Sequence, residues 1–196
     1  MESGVASQTI LETIASKKID LAVLGTDGLR GFERFISGST AEEVLRKAPC
    51  PVMTVGPRIQ DAAANIVGPI VFATDFDLTA MDAIRYAASF SQATGSSLHF
   101  VHVLPRTHGD AAPSQGIPHA MTEALQHLET TRLPPICVTI HSNEISNAIV
   151  DYARQERAKL IVLGVRRASM VASHAPARVA YRIITEAPCP VMTMAF

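Results

Sequence analysis

No run of residues in this chain approaches the roughly 18 to 20 consecutive apolar residues that a membrane span requires, although hydrophobic residues make up 47% of it. A bilayer-spanning helix is thereby not expected. The N-terminal MESGVASQTILE has neither a basic nor an apolar region of signal-peptide type, so a cytosolic address is the default expectation. An excess of one charge is missing as well. Lysine and arginine number 17 against 18 aspartates and glutamates, a formal net charge of −1. Binding nucleic acid by counterion release needs a basic patch, so nucleic acid is not an expected partner. The three cysteines, Cys50, Cys137 and Cys189, make neither a disulfide framework nor a metal spacing. Cys50 and Cys189 read as small apolar fillers and Cys137 as a buried strand residue. The seven histidines show no HxxxH or His/Cys ligand spacing and are assigned to structure. No serine sits in a GxSxG elbow and no Cys-His-acid order stands out, so no catalytic residue and no metal ligand is nominated.

The chain does contain itself twice. Leu21 to Val55 and Leu160 to Met194 superimpose at a constant offset of 139 residues without a gap: LAVLGTDG on LIVLGVRR and APCPVMTV on APCPVMTM. A repeat of that period is about one domain long, which implies tandem copies of a globular module. Two complete copies would need about 280 residues. The expectation is therefore that residues 1–56 are the C-terminal part of a first module, 57–68 a linker and 69–196 a complete second module, with Met1 opening inside the first copy.

Strands are expected at Pro69–Ala73, Leu98–Leu104, Ile136–Ile140, Lys159–Gly164 and Pro190–Ala195. Helices are expected at Leu78–Thr94, capped by Asp77 and closed by Gly95, and over residues 118–132, Glu144–Ala158 and Ala177–Glu186. In the third of these helices Ile145, Ala148, Ile149 and Tyr152 form the apolar stripe. Five strands alternating with four helices give, by right-handed crossovers, an α/β three-layer sandwich around a parallel sheet. By the same offset residues 1–56 supply a helix near Val5–Lys17, a strand Asp20–Gly25, a helix near Ser39–Lys47 and a strand Pro51–Val55, that is, a partial β-α-β module after one helix. Two parallel strands cannot bury a core alone, and the edge Leu21–Leu24 would be a pairing hazard.

The chemistry lies in the first copy. Gly25-Thr-Asp-Gly28 follows a strand, and nine residues later Gly38-Ser39-Thr40 opens a helix. A strand's carboxyl end facing a helix N-terminus is a place for an anion, with phosphate as natural occupant. Gly25, Gly28 and Gly38 would let backbone approach it, and Ser39 and Thr40 would donate hydroxyls. The plainer alternative stays open: glycines that shape turns and a serine that caps a helix. In the second copy the motif decays to Gly164-Val-Arg-Arg167, nine residues, Ala177-Arg178, and only Gly164 survives. Arg166, Arg167 and Arg178 are either solvated loop residues or a new anion site.

GTDG, nine residues, GST, an amphipathic helix and APCPVMTV together resemble the nucleotide-binding signature of the universal stress protein family, and ATDFD at Ala73–Asp77 resembles the end of that family's first strand. The resemblance spans the whole chain. It implies a five-stranded parallel sheet of order 3-2-1-4-5, a homodimer formed through terminal strands, and in some members ATP, with Mg, held without catalytic machinery. By resemblance the cofactor-binding positions are Gly25, Gly28, Gly38, Ser39 and Thr40 for ribose and phosphates, Asp75 for adenine and its ribose with Val103 beside it, and the relict Gly164. The implied role is a stress-response regulatory or interaction module whose complete copy has a degenerate site. An ATP or AMP sensor using the intact first-copy loop is the alternative, and slow ATP hydrolysis a minor third. Should the last strands of the two copies pair within one chain, the sheet would read 3-2-1-4-5-5′-4′ and leave Leu21–Leu24 as its open edge.

Overall fold

The computed structural model describes residues 6–25, 40–56, 59, 67–75, 81–106, 134–165 and 174–195. The expected helix over 118–132, the capping Asp77, and Gly28, Gly38, Ser39, Arg166 and Arg167 lie outside the described residues, as do most of the expected linker positions. The elements in chain order are α1 (Ala6–Lys17), β1 (Ala22–Gly25), α2 (Thr40–Lys47), β2 (Val52–Val55), β3 (Ile70–Ala73), α3 (Met81–Thr94), β4 (Leu98–Leu104), β5 (Ile136–His141), α4 (Ile145–Gln155), β6 (Leu160–Val165), α5 (His174–Glu186) and β7 (Val191–Ala195).

The seven strands form one sheet of order β1-β2-β7-β6-β3-β4-β5. Its part from β5 to β7 is the parallel 3-2-1-4-5 arrangement, and β2 joins it antiparallel through Val52↔Thr193, Met53↔Met192 and Thr54↔Val191. Alternation along the strands sends side chains to two helical layers. On one face Val52, Val71, Val101, Ile161 and Val191 pack with Ile14 of α1, Val44 of α2, Ile149 of α4 and Ile183 of α5. On the other, Ile70, Phe72, Phe100, Leu160, Val162 and Met192 pack with Ile84 and Ala87 of α3. The Phe72 and Phe100 rings meet edge to face at 5.5 Å, worth ~1 kcal/mol beyond the area they bury.

The repeat is structural as well as textual. Ala22↔Val52 to Gly25↔Val55 has the register of Ile161↔Val191 to Gly164↔Met194. Lys18 and Arg157, which correspond across the repeat, are among the described residues the non-glycine ones with left-handed backbone, φ 51° and 52°. Each ends its helix with the same hydrogen bonds, Ile19 N–H to Ile14 O at 3.0 Å and Ala158 N–H to Ala153 O at 2.8 Å. Such a turn satisfies carbonyls that a helix terminus would otherwise leave open. Gly95, φ 66°, closes α3 as expected, with Ser96 N–H on Ser91 O at 2.9 Å. Where the copies diverge the geometry persists: Lys47 pairs with Glu43 in α2, and Arg182 with Glu186, charges exchanged, in α5.

A local two-fold relation centres on the Met53–Met192 pair. The Thr54 hydroxyl donates to Val191 O at 2.9 Å and the corresponding Thr193 hydroxyl to Val52 O at 3.3 Å. Both terminal strands therefore have neighbours on either side, β2 between β1 and β7, and β7 between β2 and β6. The homodimer expected through terminal strands has no free edge there to use, because that pairing is made inside one chain.

Two local expectations are corrected. Cys137 is exposed: β5 is the sheet's last strand, and Val138 and Ile140 face the core while Cys137 points to the opposite side. In α4 the buried stripe is Ser146, Ile149, Val150 and Ala153, and Ile145 is 41% exposed. The buried set follows i, i+3, i+4, i+7 from Ser146, so packing against α5 and β4 chose a row rotated from the most apolar one.

His99 is the buried histidine of β4, with Nδ1 2.8 Å from the Tyr152 hydroxyl and Nε2 3.2 Å from the Ser97 hydroxyl. Burial holds its pKa below the ordinary 6.5, against the opposing charge of Glu156. The unfolded chain then binds a proton, as pH falls through 6.5, that the folded chain resists, so stability is lost on acidification; well above that pH both states are neutral and the effect vanishes. Urea unfolding between about pH 5 and 8 should show a shallower acid-side loss in His99→Gln than in the parent chain. Separately, Thr54→Val and Thr193→Val should each cost about 1 kcal/mol of unfolding free energy, whereas a sheet without the β2–β7 junction would register neither.

Candidate functional site

The carboxyl ends of β3, β4 and β6 open together at one end of the sheet. β3 is apolar and buried up to Phe72, as a strand covered on both faces must be. Past Ala73 the chain continues through Thr74, whose N–H donates to Val101 O at 3.1 Å, to an exposed Asp75. Asp75 and Val103 each stand two residues beyond the Ala73↔Val101 pair. Gly164 stands one residue beyond the Ala73↔Leu163 pair on the other side. The structure thus brings Asp75, Val103 and Gly164 to one crevice mouth. Val103 also packs its side chain against the core, so it is part wall and part scaffold.

Residues that the sequence reading assigned to structure or did not nominate shape this mouth. His102 Nδ1 lies 2.8 Å from Thr74 O. A carbonyl only accepts, so Nδ1 carries the proton and His102 clasps the backbone immediately before Asp75. Arg106 N–H donates to the Asn143 side-chain oxygen and Arg106 Nε–H to His141 O, both at 3.0 Å, tying the ends of β4 and β5. Their position just past strand ends was the available signal, and it does not separate a clasp from an ordinary loop contact.

Gly25 and Thr40 stand elsewhere. Gly25 is the last residue of β1, paired with Val55, and a Cβ added to it would meet nothing within 4 Å. Thr40 is exposed at the first turn of α2, with Glu42 and Glu43 following it. Because β2 runs antiparallel to β7, the carboxyl ends of β1 and β2 point away from those of β3, β4 and β6. Gly25 and Asp75 thus occupy opposite ends of the sheet. At the position corresponding to Thr40 the second copy has Val179, which packs against the core. Among the described residues no group of three His, Cys, Asp or Glu is placed to hold a metal ion, and no helix is long and apolar enough to cross a membrane.

The repeated β-α-β register and the Asp75 crevice agree with the comparison to known families, where the universal stress protein family matches residues 1–56 and 67–194. The chain belongs to that family. A universal stress protein of Methanocaldococcus jannaschii is 47% identical to it over 55 residues, 28% of this chain and 32% of the relative. This universal stress protein thus spans about a third of the length of the curated relatives it matches. Among solved structures, a universal stress protein from Archaeoglobus fulgidus superimposes with TM-score 0.70 at 21% identity, over 96% of this chain and 64% of the other. Another from Archaeoglobus fulgidus, in complex with dAMP, does so with TM-score 0.51 at 25% identity, over 65% of this chain and 98% of the other.

His102→Phe in this universal stress protein keeps a ring on the strand but removes the bond to Thr74. Amide hydrogen exchange at Thr74 and Asp75 should quicken about tenfold, the equivalent of one hydrogen bond, with exchange in β7 unchanged.

Proposed function

We propose that this universal stress protein is a non-enzymatic regulatory and interaction module of the stress response, built from the C-terminal part of one module and a complete second one, and that the complete copy binds ATP weakly. The observation that carries this reading is that an exposed Thr40 opens α2, whereas the corresponding Val179 lies inside α5, which begins at His174, and packs against the core. A hydroxyl on a helix N-terminus is available to a phosphate; an isopropyl group turned into the core is not. The neighbouring changes have the same sense, Gly28 to Arg167, Gly38 to Ala177 and Ser39 to Arg178. The first two add a side chain to a position read as one of close backbone approach, and the third exchanges a small hydroxyl for a long cation. Asp75 remains at the crevice mouth without the loop that would hold the rest of a nucleotide.

A second reading is favoured by the first copy, which keeps Gly25, Gly28, Gly38, Ser39 and Thr40 at the spacing of the signature, and by the dAMP bound in the Archaeoglobus fulgidus structure. On that reading an adenine nucleotide, ATP with Mg or AMP, is sensed at the β1–α2 end of the sheet, with no Asp75 equivalent among the described residues there.

Isothermal titration with ATP plus Mg²⁺, and with AMP, separates the two. The interaction-module reading expects no saturable heat up to about 1 mM ligand, the weak edge of specific affinity. Saturation below that point which Gly25→Val weakens by about tenfold places binding at the first copy and replaces the first reading with the second. Gly25 is the suitable position, since a Cβ added there meets nothing within 4 Å.

A further inference from the structure

A hydroxyl beside an imidazole lies outside both nucleotide readings. Ser97 immediately precedes β4, and its hydroxyl stands 3.2 Å from His99 Nε2, while Nδ1 of the same ring stands 2.8 Å from the Tyr152 hydroxyl of α4. His99 is buried and Ser97 is half-buried. The backbone that presents Ser97 is pinned. Ser96 N–H donates to Ser91 O at 2.9 Å, and Ile70 N–H to Ser97 O at 2.8 Å. The Ser91 hydroxyl donates to Ser96 O at 2.6 Å, and Gly68 N–H and the Thr94 hydroxyl reach the Ser96 hydroxyl at 3.3 and 2.8 Å. A serine hydroxyl is a weak nucleophile alone and becomes a useful one when a base is in reach and a third group orients that base. Ser97, His99 and Tyr152 stand in that relation. They lie at the amino end of β4, whereas Asp75 lies past the carboxyl end of β3, and β2, β7, β6 and β3 separate β4 from β1.

We propose that Ser97 is a modification site that accepts an acyl group from small carboxylic donors with a good leaving group, aryl esters and thioesters, with His99 as general base and Tyr152 as positioning residue. In the tautomer with the proton on Nδ1, the ring donates to the Tyr152 oxygen and Nε2 is bare to take the Ser97 proton. Burial raises the Tyr152 pKa, so that side chain stays a neutral partner. The charge of Glu156, at the end of α4, favours the imidazolium that forms. The bond from Ser97 Oγ to the donor's carbonyl carbon forms, and the bond from that carbon to the leaving oxygen or sulfur breaks. The hydroxyl proton passes through His99 Nε2 to the leaving group, so the products are a Ser97 ester and a phenol or thiol. Tyrosine stands here where an acyl-transferring triad has a carboxylate, which is why the leaving group must be a good one. The event is a single acylation without turnover, compatible with a non-enzymatic role, and calorimetry with ATP or AMP bears on the preceding reading alone.

The probe is p-nitrophenyl acetate, added to the full chain and followed by nitrophenolate release and by peptide mass spectrometry. A burst of about one nitrophenolate per chain is expected, with the acetyl group on Ser97. Ser97→Ala should abolish the burst with far-ultraviolet circular dichroism unchanged. His99→Gln should slow it by about a hundredfold, the usual worth of a general base. Tyr152→Phe keeps the ring and removes the bond to Nδ1, so it should slow the burst by about tenfold, the equivalent of one hydrogen bond, and serves if the His99 variant fails to fold. In the parent chain the rate should be level above pH 6.5 and fall below it as the imidazole takes up a proton; Tyr152→Phe should move the midpoint of that fall. No burst, a burst that Ser97→Ala retains, acetyl groups on lysine or cysteine alone, or rates that neither the His99 nor the Tyr152 variant alters would each overturn the proposal.

Discussion

The antiparallel meeting of β2 and β7 is the constraint on which the rest depends. With Met53 facing Met192 and two threonine hydroxyls exchanged across the junction, the two copies of the repeat are related by a local two-fold rotation and share a single sheet. A two-stranded parallel piece cannot bury a core alone. Set against β7, β1 and β2 inherit one, because α1 and α2 continue the helical layer formed by α4 and α5. The junction resembles an isologous interface made within one polypeptide, where each element meets its own counterpart.

That rotation also decides the geometry of the candidate site. Strands related by a two-fold axis normal to the sheet present their carboxyl ends at opposite ends of it, so Gly25 and Asp75 are held apart by the fold itself. The crevice at β3, β4 and β6 keeps its acid, its clasping His102 and one glycine. The end at β1 keeps Gly25 and Thr40 but has no equivalent of β3 among the described residues. At corresponding positions Thr40 is exposed and Val179 packs against the core.

Much of this was legible from residue order. Period and punctuation located each described strand and helix to within a few residues, since an apolar run buried in a parallel sheet and an amphipathic helix carry distinct local signatures. Gly95 announced a left-handed helix end because glycine meets no steric cost there. The places where the reading failed involve neighbours rather than patterns. Cys137 sits in an apolar strand, but whether a strand is central or last depends on its partners. Ile145 looked like part of a stripe, yet the row that α4 buries was set by α5 and β4. The clasp of His102 on Thr74 joins residues 28 positions apart, which no local window brings together.

The sequence by itself determined that one α/β segment recurs at an offset of 139 residues, which residues form its strands and helices, and which recurrence has kept its glycines, because these depend on spacing and residue type along the chain. Only the tertiary structure decided that the copies meet head to head through β2 and β7, that Gly25 and Asp75 therefore face opposite ends of the sheet, and that Val23 is left uncovered where Val162 is buried. Strand pairing joins residues about 140 positions apart, and the direction of that pairing is set by the side chains and backbone groups that face each other in the folded chain, a relation that a linear pattern does not encode.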